Sequence, residues 1–253
     1  MALDDHFSGH APDYARYRPT YSEELFEWLL DQVEGRDIAW DCGTGNGQVA
    51  VRLAQDFEQV RGTDMSRAQL DQAVSHPRVL YRACPAERSG LKDGTVDLVT
   101  VAAALHWFDL DPFYGEVQRV LKPGGLLAAW TYGPGIVGPP EIVPLVTELI
   151  DGLLADDWPE RIERVRGLYK TIPFPFQEIA VPPMLMESSM DLEHCVGWLG
   201  TMSAIPRHRA RTGRDPMPEF RQALERVWPV ENGGPVVVAK PMHFRVGHKT
   251  SRE

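Results

Sequence analysis

The sequence predicts an α/β fold in which a mostly parallel sheet carries helices on both faces. Strand-like apolar runs alternate with helical periodicity between residues 22 and 130, and this alternation is typical of a doubly wound parallel sheet. The first run ends in an acid, Asp41, and passes directly into a glycine-rich turn over residues 43–47. In such sheets ligands bind beyond the carboxyl ends of the strands. We therefore expect the chemistry just after residues 42, 63, 82 and 101.

The individual elements are predicted from capping residues, apolar spacing and β-branched runs. Ser22 is suited to cap a first helix, whose apolar residues recur at helical spacing as far as Val33, just before Gly35. The expected strands are 38–42, 59–63, 78–82, 96–101 and 126–130. Further helices are expected from residue 47, from Ser66 to about Val74 and from Pro112 to Val120, and residues 122–125 are expected to form a turn.

The alternation of strands and helices stops after Tyr132. A loop rich in glycine and proline occupies 133–140, and helical spacing follows to about Lys170. A strand is expected within 174–180, and helices at 191–202 and 218–227. Residues 236–246 resemble a late strand, which Pro241 interrupts, so an edge strand or a bulge is expected there.

Length, charge and cysteine content narrow the class of protein. The chain has 253 residues and a formal net charge of −10, which fits one domain and disfavours nonspecific binding to nucleic acid or anionic membranes. Its three cysteines are widely spaced and predict neither a disulfide framework nor a zinc site. No apolar run approaches the roughly 18–20 residues of a membrane span, and the N-terminus does not resemble a signal peptide. We expect a cytoplasmic protein.

The glycine turn allows two interpretations. Residues 45–50 fit the pattern G-x-G-x-x-A, and Asp64 lies near the distance expected for a ribose carboxylate, as in an NAD-dependent oxidoreductase. However, a pyrophosphate at the start of the following helix would face the carboxylate of Asp41, and like charges repel strongly in a partly desolvated pocket. S-adenosylmethionine has no phosphate, and its ammonium and sulfonium favour a nearby acid. A third possibility is a cofactor-binding partner protein without catalytic activity.

Several motifs together resemble the class I S-adenosylmethionine-dependent methyltransferases over about residues 36–130. The residues that carry this resemblance are the turn D-x-G-x-G-x-G at 41–47, Asp64, Ala86-Glu87, the stretch DLVTVAAALHWF at 97–108 and RVLKPGG at 119–125. The segment YARYRPTY at 14–21, with LHWF at 105–108, further resembles a small-molecule branch that includes trans-aconitate methyltransferase. The resemblance implies a Rossmann-like, mostly parallel seven-stranded sheet with a helical insertion or lid.

The resemblance also implies how S-adenosyl-L-methionine is held. Gly43 and Gly45 would pass their backbone close to the methionine part, and Asp41 would attract the ammonium directly or through water. Asp64 would bind the ribose diol by charge-assisted hydrogen bonds, and Met65 would pack on the adenine.

Two further pairs of residues are assigned in the same way. Ala86 and Glu87, after the third strand, would meet the adenine edge. Ala102 and Ala103, at the end of the fourth strand, would lie under the methionine chain, where small side chains allow close approach. No metal is needed, because the sulfonium already activates the methyl carbon for an in-line displacement that depends mainly on positioning.

The expected acceptor is a small molecule with a carboxylate, hydroxyl or nitrogen as the methylated group. His106 is the candidate catalytic residue, either as a base or as a substrate-binding group, although a histidine that orients the loop is an equal alternative. Trp107 would form a wall of the acceptor pocket. Tyr14 and Tyr21 would contact the substrate from an N-terminal lid, and Arg18 would pair with the methionine carboxylate or an acidic substrate.

We expect one domain with four functional parts. These are an N-terminal lid and first helix (1–35), a cofactor-binding core (36–132), a substrate-side insertion (133–217), and a helix and strand that complete the sheet (218–253). The dense basic cluster at 207–211 is expected to be solvated. A monomer or homodimer is expected, without nucleic-acid or membrane partners.

Overall fold

The computed structural model describes residues 21–133 and 135–250. Tyr14 and Arg18, expected in the N-terminal lid, lie outside the described residues. The described strands form one mixed sheet. They are β1 (Ile38–Cys42), β2 (Gln59–Asp64), β3 (Val79–Ala83), β4 (Val96–Ala102), β5 (Leu121–Tyr132), β6 (Gln177–Glu178), β7 (Leu185–Met190) and β8 (Val236–His248).

The strand order places a ligand crevice at the end of β1. The order is β3-β2-β1-β4-β5-β8-β6, and β7 also pairs with β8. Strands β1 to β5 pair in parallel, whereas β8 is antiparallel to β5, β6 and β7. The chain passes from β1 to β2 on one side, and the connection from β3 then crosses back to β4 on the other side of β1. Ligands bind at such a switch point in doubly wound sheets, so the sheet directs attention to Asp41 and the turn that follows it.

Helices cover both faces of the sheet, as the sequence predicts. They are α1 (Glu23–Asp31), α2 (Gln48–Leu53), α3 (Arg67–Leu70), α4 (Leu110–Val120), α5 (Val143–Thr147), α6 (Ile162–Arg166), α7 (Leu192–Gly200), α8 (Ala204–Thr212) and α9 (Met217–Val227). A short 3₁₀ helix, Leu105–Trp107, follows β4. No helix of these described segments is long and apolar enough to cross a membrane.

Alternating side chains of the central strands supply the two cores. In β4, Leu98 packs with α1 and α2 on one face, whereas Val99 and Val101 pack with α4 on the other. In β5, Trp130 belongs to the first face and Leu127 to the second. This period of two is what a strand buried on both faces requires. A third cluster, which includes Val146, Trp198 and Leu224, joins the helices that follow β5.

The sheet has eight described strands, one more than the seven that the family resemblance implies. The extra pairing arises because β8 is 13 residues long. Its residues from Met242 pair with β5, while the preceding residues pair with β7 on the other side. The sequence predicts an edge strand or a bulge at Pro241, whereas β8 as a whole lies between β5 and β6 in the sheet. Pro241 lies where pairing with β5 has ended, so its missing N–H removes no bond from that ladder.

Three local predictions also differ from the structure. Ser66 caps α3 by accepting from the Gln69 N–H, but α3 ends at Leu70, because the backbone of Val74 turns back to donate to the Asn46 carbonyl at 3.1 Å. Residues 122–125 form an irregularity inside β5 rather than a turn before it. The expected strand at 174–180 is reduced to β6.

A buried carboxylate fixes the start of β1 against β4. Asp97, which is 4% exposed, accepts backbone N–H bonds from Asp37 and Ile38 at 3.0 and 2.9 Å. Its other oxygen accepts from Lys122 Nζ at 2.6 Å. The pairing of β1 with β4 carries Asp41 to its position beside Thr100, so Asp97 anchors the strand that carries the candidate site.

Replacing Asp97 by alanine is expected to lower the free energy of unfolding by about 2–4 kcal/mol, because it leaves two backbone N–H groups and an ammonium without their acceptor. Asp37→Ala is the matched control, since the Asp37 carboxylate contacts the same Lys122 from the solvent side and is expected to change stability by less than about 1 kcal/mol. Urea unfolding followed by circular dichroism measures both. Equal losses in the two variants would contradict the anchoring role.

Candidate functional site

Asp41 is a carboxylate buried at the carboxyl end of β1. It is 1% exposed, and its two oxygens accept from the hydroxyls of Thr44 at 2.5 Å and Thr100 at 2.8 Å. Burial raises the pKa of Asp41 to about 6, against the opposing effect of the two hydroxyls, and the nearby charge of Asp64 adds to the rise. A carboxylate in this state is stabilised by a cation, which is what its expected role requires.

The backbone N–H groups of the glycine turn are already used within the protein. The N–H groups of Gly43 and Thr44 both donate to the Thr63 carbonyl, at 2.8 and 2.9 Å. Gly45 donates to an Asp64 carboxylate oxygen at 2.9 Å, and Gly47 donates to the Thr44 carbonyl at 2.9 Å. These bonds tie the turn to the end of β2. These four N–H groups therefore already donate within the protein. A phosphate-binding turn needs such groups to point at the ligand instead.

The turn needs glycine for conformation and for space. Gly43 has φ +71°, and a Cβ there would lie 2.6 Å from the Cβ of Ala104. At Gly47, with φ +84°, a Cβ would overlap the ring of Tyr81. Positive φ is readily available only to glycine. The turn therefore packs against the segment after β4 on one side and against β3 on the other.

Asp64 closes the site at the end of β2. Besides the bond from Gly45, its second oxygen accepts from the Ser66 N–H at 2.8 Å. These two bonds fix the plane of the half-buried carboxylate. Met65, next in the chain, is 55% exposed. Its side chain is available to cover a flat group bound at Asp64.

Ala86 and Glu87 lie side by side but in different surroundings. Ala86 is 6% exposed and packs in the core cluster on the α4 face. Glu87 is half-buried, and its Oε1 accepts from the Asp109 N–H at 3.1 Å. This bond joins the loop after β3 to the start of α4. The two residues therefore lie beside the loop after β4 as well as after β3.

The segment after β4 connects the glycine turn to a cavity. Ala102 ends β4, and Ala103 adopts a left-handed conformation, φ +52°, while its N–H donates to the Trp130 carbonyl at 2.8 Å. A non-glycine residue in this region stores strain, which is common at functional sites. The next residue, Ala104, contacts Gly43, and Ala103 itself lines the cavity.

The cavity lies between the sheet and the helices that follow β5. It has a volume of about 90 Å³, against the roughly 10–15 Å³ that one water needs by the same measure. Its wall is largely apolar and aromatic with a few polar groups, which is typical of small-molecule sites. The lining residues are Ala103, His106, Trp107, Thr131, Tyr132, Gly133, Trp158, Ile162, Val165, Trp198, Met202, Ser203 and Lys240.

His106 is held in the cavity wall by a buried tyrosine. It is 5% exposed, and its Nδ1 lies 2.9 Å from the hydroxyl of Tyr169. Tyr169 is fully buried, its hydroxyl also hydrogen-bonds Thr131, and burial raises its pKa well above the usual range. Both Leu168 and Tyr169 have positive φ, 55° and 60°. The backbone is thus strained at the two residues that place the Tyr169 hydroxyl beside His106.

Two residues expected to contact the substrate, Trp107 and Tyr21, lie in different places. Trp107 lines the cavity beside His106, with ring centroids 4.9 Å apart. Tyr21 instead packs edge-on against Trp130, at 5.4 Å between centroids, and is not among the lining residues.

Several residues of the site were not predicted from the sequence. Thr44 and Thr100 donate hydrogen bonds to Asp41. Thr100 could have been found from the sequence, because it is a hydroxyl residue in the β-branched strand β4, which pairs with the strand that ends near Asp41. Tyr169, Trp198 and Lys240 have no motif in the sequence. They come from distant segments, and only the fold brings Tyr169 to His106 and Lys240 to Trp198.

The basic cluster at 207–211 is only partly solvated. His208 is 6% exposed, and both His208 and Arg211 bind Asp157, at 2.7 and 2.6 Å. The hydrogen bonds from Arg211 lower the pKa of Asp157 to about 2. These contacts fasten α8 to the segment before α6. Within residues 21–133 and 135–250, no group of three metal-ligating side chains is brought together.

The raised pKa of Asp41 predicts a stability change between pH 4 and 6. Because the folded carboxyl has a pKa of about 6 and the unfolded one 3.8, ligand-free protein loses stability as the pH rises through this window, on the order of 3 kcal/mol. Asp41→Asn removes this loss and is expected to raise the melting temperature at pH 8. Thr100→Val, which deprives the ionised form of a donor, is expected to lower it. Calorimetry at pH 4 and pH 8 measures both, and an Asn variant less stable at pH 8 would refute the explanation.

Comparisons with known proteins agree with this geometry. Residues 40–129 match a family model described as a methyltransferase domain. A candidate methyltransferase of Dictyostelium discoideum is 31% identical over 234 residues, which cover 91% of this chain and 89% of that protein.

Solved structures give the same result. A candidate type II methyltransferase from Anaeromyxobacter dehalogenans is 43% identical, with a TM-score of 0.85 over 93% of this chain and 100% of that one. Phosphoethanolamine N-methyltransferase 2 of Haemonchus contortus, solved with S-adenosylhomocysteine, is 16% identical with a TM-score of 0.52 over 99% of this chain and 61% of that one, and shows the shared fold alone. The Dictyostelium and Anaeromyxobacter proteins each match about nine-tenths of this chain. The chain therefore belongs to the class I S-adenosylmethionine-dependent methyltransferases.

Proposed function

We propose that this enzyme transfers the methyl group of S-adenosylmethionine to a small molecule bound in the cavity beside His106. The observation that carries the proposal is the buried Asp41 carboxylate at the mouth of a glycine turn that opens, through Ala102–Ala104, toward that cavity. Asp41 would attract the ammonium of the cofactor, and Asp64 would accept from its ribose hydroxyls. Gly43, Gly45, Ala102 and Ala103 would border the methionine part.

The committed N–H groups of the glycine turn favour this cofactor over NAD. A dinucleotide needs free N–H groups for its pyrophosphate, and those of residues 43, 44, 45 and 47 donate within the protein. The carboxylate of Asp41 would also repel a pyrophosphate, whereas it attracts an ammonium. Neither the oxidoreductase alternative nor the non-catalytic alternative gains support from the relatives, which are methyltransferases.

The transfer needs positioning more than proton chemistry. A lone pair of the acceptor forms a bond to the methyl carbon while the carbon–sulfur bond breaks, and sulfur keeps the electron pair as the neutral thioether of S-adenosylhomocysteine. Alignment and exclusion of water supply most of the acceleration. A carboxylate acceptor requires no base, whereas a hydroxyl or protonated nitrogen must lose a proton.

His106 is positioned to take part in either case. When its Nδ1 donates to Tyr169, its Nε2 can accept a proton from an acceptor hydroxyl or amine. When Tyr169 donates to Nδ1, Nε2 carries the proton and can bind an acceptor oxygen. In both arrangements Tyr169 fixes the orientation of the ring, and Trp107 supplies an adjacent wall.

The remaining expectations stay proposals. These are the packing of Met65 on the adenine, the contacts of Ala86 and Glu87 with its edge, the lid roles of Tyr14, Arg18 and Tyr21, and the narrower relation to trans-aconitate methyltransferase. A cytoplasmic location, a monomer or homodimer, and the absence of nucleic-acid or membrane partners belong with them.

Cofactor choice can be tested by thermal shift. S-adenosylhomocysteine is expected to raise the melting temperature and NAD to leave it unchanged. Asp64→Ala is expected to weaken S-adenosylhomocysteine binding by about 10- to 100-fold, because two charge-assisted bonds to the ribose are lost. The control is Asp71→Ala, which changes an exposed acid just after α3. Stabilisation by NAD instead would refute the proposal.

Positioning by Tyr169 can be tested by kinetics once an acceptor is in hand. Tyr169→Phe removes the hydroxyl next to His106 and is expected to lower kcat about 3- to 10-fold, with KM for S-adenosylmethionine nearly unchanged. Tyr114→Phe is the matched control, because the Tyr114 hydroxyl is buried on the same face of the sheet and has no hydrogen-bond partner among residues 21–133 and 135–250. Equal kcat values in the two variants would exclude the positioning role.

A further inference from the structure

The turn that brings Tyr169 to His106 is strained and therefore needs support. Leu168 and Tyr169 follow α6 with φ of 55° and 60°, a region that residues other than glycine seldom adopt. Such a conformation persists only where the surrounding contacts determine it. Within the turn, the Ile172 N–H donates to the Tyr169 carbonyl at 3.1 Å. That bond is internal to the turn and does not connect it to the sheet.

A guanidinium from β8 makes the connection to the sheet. Arg245 Nη1 donates to the Tyr169 carbonyl at 3.0 Å and to the Ile172 carbonyl at 2.5 Å. Arg245 pairs with Ala129 of β5, whose side chain belongs to the same core cluster as Tyr169. The arginine thus joins both ends of the strained turn to an inner strand of the sheet.

The guanidinium of Arg245 is itself held in place. Its Nε and Nη2 donate to the two carboxylate oxygens of Glu178 in β6, at 2.6 and 3.2 Å. Its Cζ lies 4.9 Å from the ring centroid of Phe174, and the Arg245 side chain is 15% exposed. A bidentate contact with a carboxylate together with an aromatic face fixes the plane of a guanidinium. The third nitrogen is therefore directed at the two carbonyls of the turn.

These contacts form a continuous path from β6 to the cavity. Glu178 orients Arg245, and Arg245 holds the backbone of Tyr169. The Tyr169 hydroxyl lies 2.9 Å from His106 Nδ1. His106 lines the cavity, whereas Arg245 is not among the described residues that do so. Arg245 can therefore influence the cavity through Tyr169, without contacting a ligand there.

We propose that Arg245 is a positioning residue for methyl transfer, which holds the strained turn so that the Tyr169 hydroxyl sets the orientation and tautomer of His106. Arginine suits this role because its planar fork reaches two carbonyls and a carboxylate at once, whereas a lysine offers a single point charge. The assignment rests on the proposed function, since His106 contacts the acceptor there. It extends the site to a residue behind the cavity wall.

The test follows the imidazole nitrogens of His106 by NMR in the full-length protein with isotope-labelled histidine. The chain has 8 histidines, and His106→Gln identifies the resonances of this one. Tyr169→Phe is expected to shift them, because the hydroxyl bonded to Nδ1 biases the tautomer. Arg245→Met is expected to shift them in the same direction and at least half as far. Affinity for S-adenosylhomocysteine, measured separately by calorimetry, is expected to change by less than about 2-fold in either variant.

Arg52→Met is the matched control. The Arg52 side chain is 14% exposed and pairs with the carboxylates of Glu23 and Asp56. Its Cζ lies 4.9 Å from the ring centroid of Phe26, which belongs to the core on the opposite face of the sheet. The substitution therefore removes a similarly buried and paired guanidinium far from the strained turn. It is expected to leave the His106 resonances at their wild-type positions.

The double variant Tyr169→Phe/Arg245→Met shows whether Arg245 acts through the hydroxyl. Its His106 resonances are expected to match those of Tyr169→Phe alone, because the hydroxyl that Arg245 positions is already absent. A further shift in the double variant would contradict this route. If Arg245→Met does not fold, Glu178→Gln, which weakens the support of Arg245 at a half-exposed carboxylate, is judged by the same comparison with Tyr169→Phe and Arg52→Met.

The remaining outcomes separate this role from the proposed function. If Arg245→Met leaves the His106 resonances at the wild-type positions, if Tyr169→Phe itself causes no shift, or if Arg52→Met shifts them equally, the role of Arg245 is overturned and the proposed methyl transfer stands. If the wild-type protein does not bind S-adenosylhomocysteine, the proposed function fails, whatever the spectra show.

Discussion

The buried carboxylate of Asp41 is the constraint on which the rest of the site depends. Burial opposes its ionisation, whereas the hydroxyls of Thr44 and Thr100 favour it, and the resulting pKa near 6 shows that burial outweighs them. The carboxylate is therefore ionised near neutral pH at the expense of stability. A cation bound beside Asp41 would relieve this tension, and ligand binding would then be coupled to folding stability at one residue. The anchoring of β1 by Asp97 keeps that residue in place.

The glycine turn follows from the same constraint. The turn uses positive φ at Gly43, Gly45 and Gly47, and the N–H groups of residues 43, 44 and 45 donate to the end of β2. This internal bonding rigidifies the turn and removes the donors that a phosphate would need. One local arrangement thus supports a cationic ligand and works against a dinucleotide, although the glycine spacing alone fits both.

The cavity beside His106 is built from distant segments rather than from one motif. The cavity wall comes from parts of the chain that are far apart in sequence. The loop after β4 and α6 belong to the core cluster on the α4 face, whereas α7 and β8 contribute to the third cluster. Its polar groups are few and individually placed: His106 by Tyr169, and Lys240 by two aromatic faces. The two sides meet at Ala103, whose strained backbone passes between the glycine turn and the cavity.

The sequence by itself determined the α/β class and the positions of the first five strands along the chain, because strand periodicity, caps and glycine spacing are local there and occur in one run of residues. It also determined the superfamily. Only the tertiary structure decided that β8 is an inner strand, that Tyr21 packs against Trp130, that Tyr169 reaches His106, and that Trp198 and Lys240 contact each other in the cavity wall. These residues are brought together by packing between distant segments, and periodicity in one chain carries no information about which distant side chains become neighbours.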